Sequence, residues 1–279
     1  MLRIKTFLLL AFLTALLLGV GYLLGSKTGF IIALFIALAM NFFSYWYSDK
    51  IVLAIYRAEK ASKKEYPGLH SCIEDLSKKA KLPKPKIFIL PMQTPNAFAT
   101  GRNTKHAAVA VTQGALQMLD KKELSGVLSH ELSHIKNNDI LITTIAAVIA
   151  GVIGYIAFYA RMMLWMGDNR HGGIIRIIAL IVVAIFMPLA ALLIQLAISR
   201  TREFIADESA AKLLKDGRPL ASALSKLDDY AKARPLKKGN NATACLFIVN
   251  PFSAKGMAKM FSTHPSTEER VKRLRQLKF

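Results

Sequence analysis

Hydrophobic positions along this chain follow two different rules. Four stretches, roughly Thr6–Leu24, Gly29–Tyr47, Ile140–Ala160 and Ile174–Ser199, are apolar all round and carry almost no ionisable side chain. Each runs for about 20 residues, the length a helix needs to cross about 30 Å of hydrocarbon at 1.5 Å per residue. Elsewhere apolar residues recur at helix or strand spacing between polar ones, as in elements that bury one face. The expected architecture is α+β and mostly α: four transmembrane helices plus a soluble domain with a small β-sheet. Residues 1–48 and 140–199 form two membrane hairpins, and residues 49–139 and 200–279 supply two parts of one soluble domain.

Within the soluble parts, Leu69, Cys72, Ile73, Leu76 and Ala80 share one helix face, and Pro83 and Pro85 stop that helix. Short apolar runs at Lys86–Leu90 and Ala107–Val111 read as strands, with a third around Asn96–Thr100 before the turn at Gly101-Arg102-Asn103. Asp120 and Glu123 form a capping box that opens a helix whose buried stripe is Leu124, Val127, Leu128 and Ile135. That helix reaches Asn137-Asn138 and meets the third span almost without a break. The fourth span, kinked at Pro188, leads directly into a helix from Thr201 to about Leu214. Another helix carries Leu220, Leu224, Leu227 and Ala231 on one face, Arg234–Thr243 reads as a mobile polar loop, and Ser266 with Glu269 caps a last helix.

Composition and charge refine this picture. Hydrophobic residues make up 53% of the 279 and charged residues 20%, which excludes an ordinary soluble globule, and two cysteines exclude a disulfide scaffold. Cys72 and Cys245 lack metal-ligand spacing and read as reduced thiols, and Asn241-Ala242-Thr243 is a coincidental glycosylation sequon. The net charge of +20 points less to nucleic acid, for which no motif is present, than to a membrane surface. Of 38 Lys and Arg, residues 49–138 hold 15 and residues 199–279 hold 17, while the loops after spans one and three hold very few. Positive charge gathers on the cytoplasmic side, so both termini and the soluble parts are expected there, near anionic lipid. The aromatic cluster Phe42, Phe43, Tyr45, Trp46 and Tyr47 marks the interface at the end of the second span. The first span reads as a retained anchor, since no small-x-small cleavage pattern follows it.

The chemistry lies in His130-Glu131-Leu132-Ser133-His134. Residues i and i+4 share a helix face, so two imidazoles can close on one zinc ion while Glu131 reaches the water beside it. A catalytic zinc site usually takes a third protein ligand, and Glu203 is the candidate. It precedes Asp207 by four residues, so the two carboxylates share a helix face. His134 lies six residues before the third span and Glu203 four residues after the fourth, about 9 Å and 6 Å from the membrane. An antiparallel hairpin brings them to the same side at similar height.

These residues carry a resemblance that spans nearly the whole chain. His130-Glu131-x-x-His134 with Asn137 and Asp139, Glu203-x-x-Ala206-Asp207, His264-Pro265 with Arg270, and Asn96-Ala97-Phe98-Ala99-Thr100-Gly101 together resemble the HtpX family of membrane-bound zinc metalloproteases, peptidase family M48, related to the CAAX prenyl protease Ste24. The resemblance implies a zincin-like cytoplasmic domain with one Zn(2+) per chain held by His130, His134 and Glu203, and Glu131 as general base. Asp207 would accept the outer N–H of a ligand histidine and fix its tautomer, though Asp139 is placed to do the same. His264 and Arg270 resemble a pair that steadies the oxyanion or the substrate carbonyl. Asn96, Ala97, Phe98 and Ala99 resemble an edge strand along which an extended peptide pairs.

The expected activity is endoproteolysis of membrane-associated or misfolded proteins at the cytoplasmic face, and the resemblance adds quality control in a stress response at the cell inner membrane. A catalytically idle membrane scaffold or chaperone with structural zinc is the alternative. An intact Glu131 argues against it, because a structural metal has no use for an adjacent base.

Overall fold

The computed structural model describes residues 2–149, 199–235, 246–249 and 265–279. The third span beyond Ile149, the fourth span with Pro188, Cys245, the Asn241 sequon, most of the Arg234–Thr243 loop and His264 lie outside the described residues. The described chain is mostly helical, with one small mixed sheet.

Helix α1 (Leu2–Trp46) is 45 residues long and not straight. Asn41 Nδ2 donates to Thr14 Oγ1 at 2.9 Å across 27 residues, which a straight helix would hold about 40 Å apart. The reversal comes at Ser26, whose φ of 49° is left-handed. Gly21 and Gly29 let the two arms meet, since a Cβ on either would collide with the other's carbonyl oxygen. Of the described helices, the outgoing arm Ser26–Trp46 is the one long and apolar enough to cross a membrane, with mean hydropathy 1.8. A short helix, α2 (Ser48–Ile55), continues from it and tucks Val52 and Leu53 into the core.

Helix α3 (Pro67–Ala80) has proline in its first turn and ends at Lys81, which takes a left-handed C-cap. Four strands follow the order β1-β2-β4-β3: β1 (Glu59–Lys60), β2 (Lys86–Leu90), β3 (Ala97–Gly101) and β4 (Ala107–Thr112). β1 pairs antiparallel with β2, β2 parallel with β4, and β3 antiparallel with β4. The two-residue β1 had no counterpart in the hydrophobic pattern, because both its residues are charged and exposed and only backbone pairing makes it a strand. Helix α4 (Gln113–Met118), likewise unforeseen, starts where Thr112 Oγ1 accepts from Ala115 N at 3.1 Å.

Strand β4 is buried on both faces, which is why it reads as an unbroken apolar run. Val109 and Val111, with Ala97 and Ala99 of β3, face a core shared with α3 and α5 (Lys121–Lys136). Ala108 and Ala110, with Phe98, face a second core that includes Val52 and Leu53 and, from helix α6 (Asp139–Ile149), Ile142, Ile145 and Ile149. Helices α7 (Arg200–Leu214), α8 (Arg218–Ala233) and α9 (Thr267–Gln276) complete the layer around α5. Gly126 of α5 permits the approach of α8, where a Cβ would stand 2.7 Å from Leu220 N.

Candidate active site

Helix α5 is fixed at its start by a complete capping box: Asp120 Oδ1 accepts from Glu123 N at 2.8 Å, and Glu123 Oε2 accepts from Asp120 N at 3.0 Å. Glu123 also accepts from Ser222 and Lys226 of α8, which ties the catalytic helix to its neighbour. Two turns further on, His130 and His134 project from one face, as their spacing requires. Opposite them α7 presents Glu203.

Three donor groups converge. The two Nε2 atoms of His130 and His134 stand 3.1 Å apart, Glu203 Oε2 lies 3.7 Å from His130 Nε2, and Glu203 Oε1 lies 3.6 Å from His134 Nε2. Tetrahedral ligands at about 2.0–2.1 Å from zinc stand about 3.4 Å from one another. The observed spacings fall either side of that value, and two imidazoles with one carboxylate is a donor set zinc accepts. The residues present fit a zinc ion.

Each imidazole is held from behind by its own carboxylate. Asp207 Oδ1 lies 2.9 Å from His130 Nδ1, and Asp139 Oδ2 lies 3.2 Å from His134 Nδ1. The sequence left Asp207 and Asp139 as alternatives for one task, whereas the fold gives each a different histidine. Asp139 can reach back because the chain turns at Asn138, with a φ of 59°, between α5 and α6. Burial opposes ionisation of Asp207, but the charge and hydrogen bonds of Arg270 outweigh it and hold its carboxyl below the usual range. Burial likewise opposes a proton on His130, yet hydrogen bonds to Asp207 and Glu203 raise its pKa to about 9.

Arg270 is fully buried in α9. Its Nε and Nη2 donate to Asp207 Oδ2 and Oδ1 at 2.8 and 2.7 Å, and its Nη1 donates to Ile248 O at 3.1 Å. It also lies 3.6 Å from Glu203 Oε2. The guanidinium thus packs against both His130 and Glu203, its Nη2 lying 3.4 Å from His130 Nε2. His264, its expected companion, lies outside the described residues.

Glu131 points between α5 and the sheet. Its Oε2 accepts from Ala99 N at 2.8 Å, and burial raises its pKa, against the lowering by the two histidines. Ala99 therefore turns its N–H away from β4, along the outer edge of β3. Asn96, at the start of the edge strand along which a peptide is expected to pair, is buried and grips this chain's own main chain: Nδ2 donates to Leu246 O at 3.2 Å, and Oδ1 accepts from Ile248 N at 3.1 Å. Leu246, Phe247 and Ile248 form an apolar wall of the cleft opposite Phe98 and Ala99. Two contributions escaped the sequence reading: this wall, whose signal was the apolar run Leu246–Val249, and Arg202, which lies beside the cleft with Nη1 3.5 Å from Asp139 Oδ1. Nothing in the sequence pairs Arg202 with Asp139.

Residues 63–278 match the family model described as peptidase family M48. The chain is 54% identical over 277 residues to a Protease HtpX homolog of Pyrococcus furiosus, an alignment covering 98% of this chain and 95% of that one. It is 50% identical over 268 residues to a Protease HtpX homolog of Aquifex aeolicus, covering 94% and 88%. The crystal structure of S. mikatae Ste24p superposes with a TM-score of 0.51 at 19% identity, covering 98% of this chain. That likeness is one of fold, and this chain spans 65% of the length of the Ste24p chain.

Proposed function

The chain belongs to peptidase family M48 and is a metalloprotease, and we propose that it is a zinc-dependent endopeptidase anchored in a membrane, cleaving membrane-associated or misfolded proteins at the cytoplasmic face. One observation carries the reading: His130, His134 and Glu203 present donors at the spacing of zinc ligands, with the Glu131 carboxylate adjacent and hydrogen-bonded to the edge of β3. Bound zinc supplies Lewis acidity for a scissile carbonyl and eases deprotonation of water near neutral pH.

The chain's own groups do the rest. Glu131, its pKa raised by burial, takes the proton of the attacking water and delivers it to the leaving amine. Asp207 and Asp139 hold His130 and His134 with Nε2 turned inward. Arg270 is a positioning residue in this scheme, keeping Asp207 ionised and aimed at His130. His264 is proposed to touch the substrate carbonyl, on the resemblance alone. An extended peptide runs beside β3 with its main chain meeting Ala99, between Phe98 and the Leu246–Ile248 wall. Asn96 and Ala97 shape that path, Asn96 by fixing the wall. Main-chain pairing of this kind confers affinity with little sequence preference, which suits a quality-control protease.

The test is cleavage of an unfolded model protein by the purified full chain in detergent, before and after chelation and again after zinc is restored. Cleavage lost on chelation and recovered with zinc supports the proposal. Cleavage that survives complete metal removal overturns it.

A further inference from the structure

One end of the sheet gathers cations. β2 begins at Lys86, β4 begins just after the turn Thr104–His106, and β3 ends just before Arg102, so all three place basic residues at the same end. The turn is fixed by Asn103, whose Oδ1 accepts from Lys105 N at 3.0 Å and from His106 N at 2.9 Å. Facing it is the aromatic end of α1 and the start of α2. The Arg102 guanidinium lies 4.5 Å above the Trp46 ring, and Lys50 Nζ lies 5.1 Å from the centre of Tyr47. Between them is a cavity of about 670 Å3, lined by Lys50, Lys86, Arg102 and His106 with Trp46 and Phe88, and by one carboxylate, Asp49.

An apolar track leads to this cavity. Ile31, Phe35, Leu38 and Phe42 follow one another at intervals of four, three and four residues on one face of α1, and each is more than half exposed. Ile31 to Phe42 spans about 16 Å, roughly one leaflet of a 30 Å hydrocarbon core. Trp46 continues the track at its polar end, where tryptophan favours the headgroup level. A free phosphate would use the cations but has no use for the track, whereas a lipid uses both.

We propose that this cavity is a binding site for an anionic phospholipid, its headgroup phosphate held by Arg102, Lys86 and Lys50 and its acyl chains lying along Ile31, Phe35, Leu38 and Phe42. The site rests on the membrane location proposed above. It joins α1 to the sheet whose far edge carries Ala99, so the lipid fastens the membrane hairpin to the element that faces Glu131.

The test uses the full chain with Trp165→Phe, which leaves Trp46 as its one tryptophan, in detergent micelles doped with chain-brominated phosphatidylglycerol or phosphatidylcholine. Bromine near Trp46 quenches its fluorescence. The expected result is half-maximal quenching at an at least about tenfold lower mole fraction of the anionic lipid, with the two lipids made equal by Lys86→Gln combined with Arg102→Gln. Equal quenching of the parent protein by both lipids overturns the site while leaving the membrane location intact. No quenching by either lipid removes the membrane location as well. Loss of the preference in millimolar inorganic phosphate at constant ionic strength overturns the lipid in favour of a free-phosphate site.

Discussion

The two flanks of the metal site are built from the same parts and differ in how those parts are held. On one flank His130 is buried, its side chain 2% exposed, Asp207 receives its Nδ1 at 2.9 Å, and Arg270 grips Asp207 through two hydrogen bonds. On the other, the His134 side chain is 16% exposed, Asp139 receives its Nδ1 at 3.2 Å, and Arg202 stands 3.5 Å from Asp139. The first is a closed ion network in the interior, where removing one member strands its partners. The second borders the cleft, and its contacts are longer.

The largest effect is expected from a group the flanks share. Glu131→Gln should reduce turnover by at least about a hundredfold with zinc stoichiometry unchanged, because it removes the base and leaves every donor in place. Turnover and bound metal measured on the same sample decide it; activity near the parent level would take Glu131 out of the reaction.

The ligands come next. Glu203→Ala should weaken zinc more than either aspartate substitution, and Asp207→Ala more than Asp139→Ala, each aspartate costing about 10–100-fold in affinity. Chelator competition ranks the three. An Asp139→Ala protein that loses zinc more readily than Asp207→Ala would reverse the contrast between the flanks.

Stability should separate the arginines. Arg270→Met leaves Asp207 buried beside His130 without its guanidinium and should cost about 3–5 kcal/mol, the usual penalty for breaking a buried pair. Arg202→Met breaks a longer contact of 3.5 Å and should cost less. Denaturation of the two variants gives the comparison, and similar midpoints would mean that both flanks are equally open.

The smallest effect tests the substrate path. Ala99→Pro removes the β3-edge N–H that Glu131 accepts and should lower kcat as well as raise KM several-fold without releasing zinc, since no metal donor is touched. A folded Ala99→Pro enzyme with the parent KM would exclude peptide pairing at this position.

Legibility followed the range of the interactions. The capping box at Asp120 and Glu123, the break in helical propensity before Pro83, and the short apolar runs of β2 and β4 depend on residues a few positions apart, so the sequence displays them. The reversal inside α1 was legible too, because Gly25-Ser26 interrupts its long apolar run. β1 was hidden because its two charged residues carry no pattern and gain strand geometry only from pairing with β2.

By itself the sequence determined that His130 and His134 share one face of a capped helix, since an i, i+4 pair on a helix puts two imidazoles together, and it singled out Glu203 as a candidate third donor. Only the tertiary structure decided how the supporting groups divide. Asp207 and Asp139 are both carboxylates one short step from the ligand residues, and nothing local distinguishes them. The left-handed turn at Asn138 and the packing of α7 against α5 give each its own histidine. The same packing set Arg270 against Asp207, and gave Asn96 to Leu246 and Ile248, some 150 residues away. A charged or amide side chain can bond to any complementary group it meets, so its partner is fixed by which surfaces the apolar cores bring together.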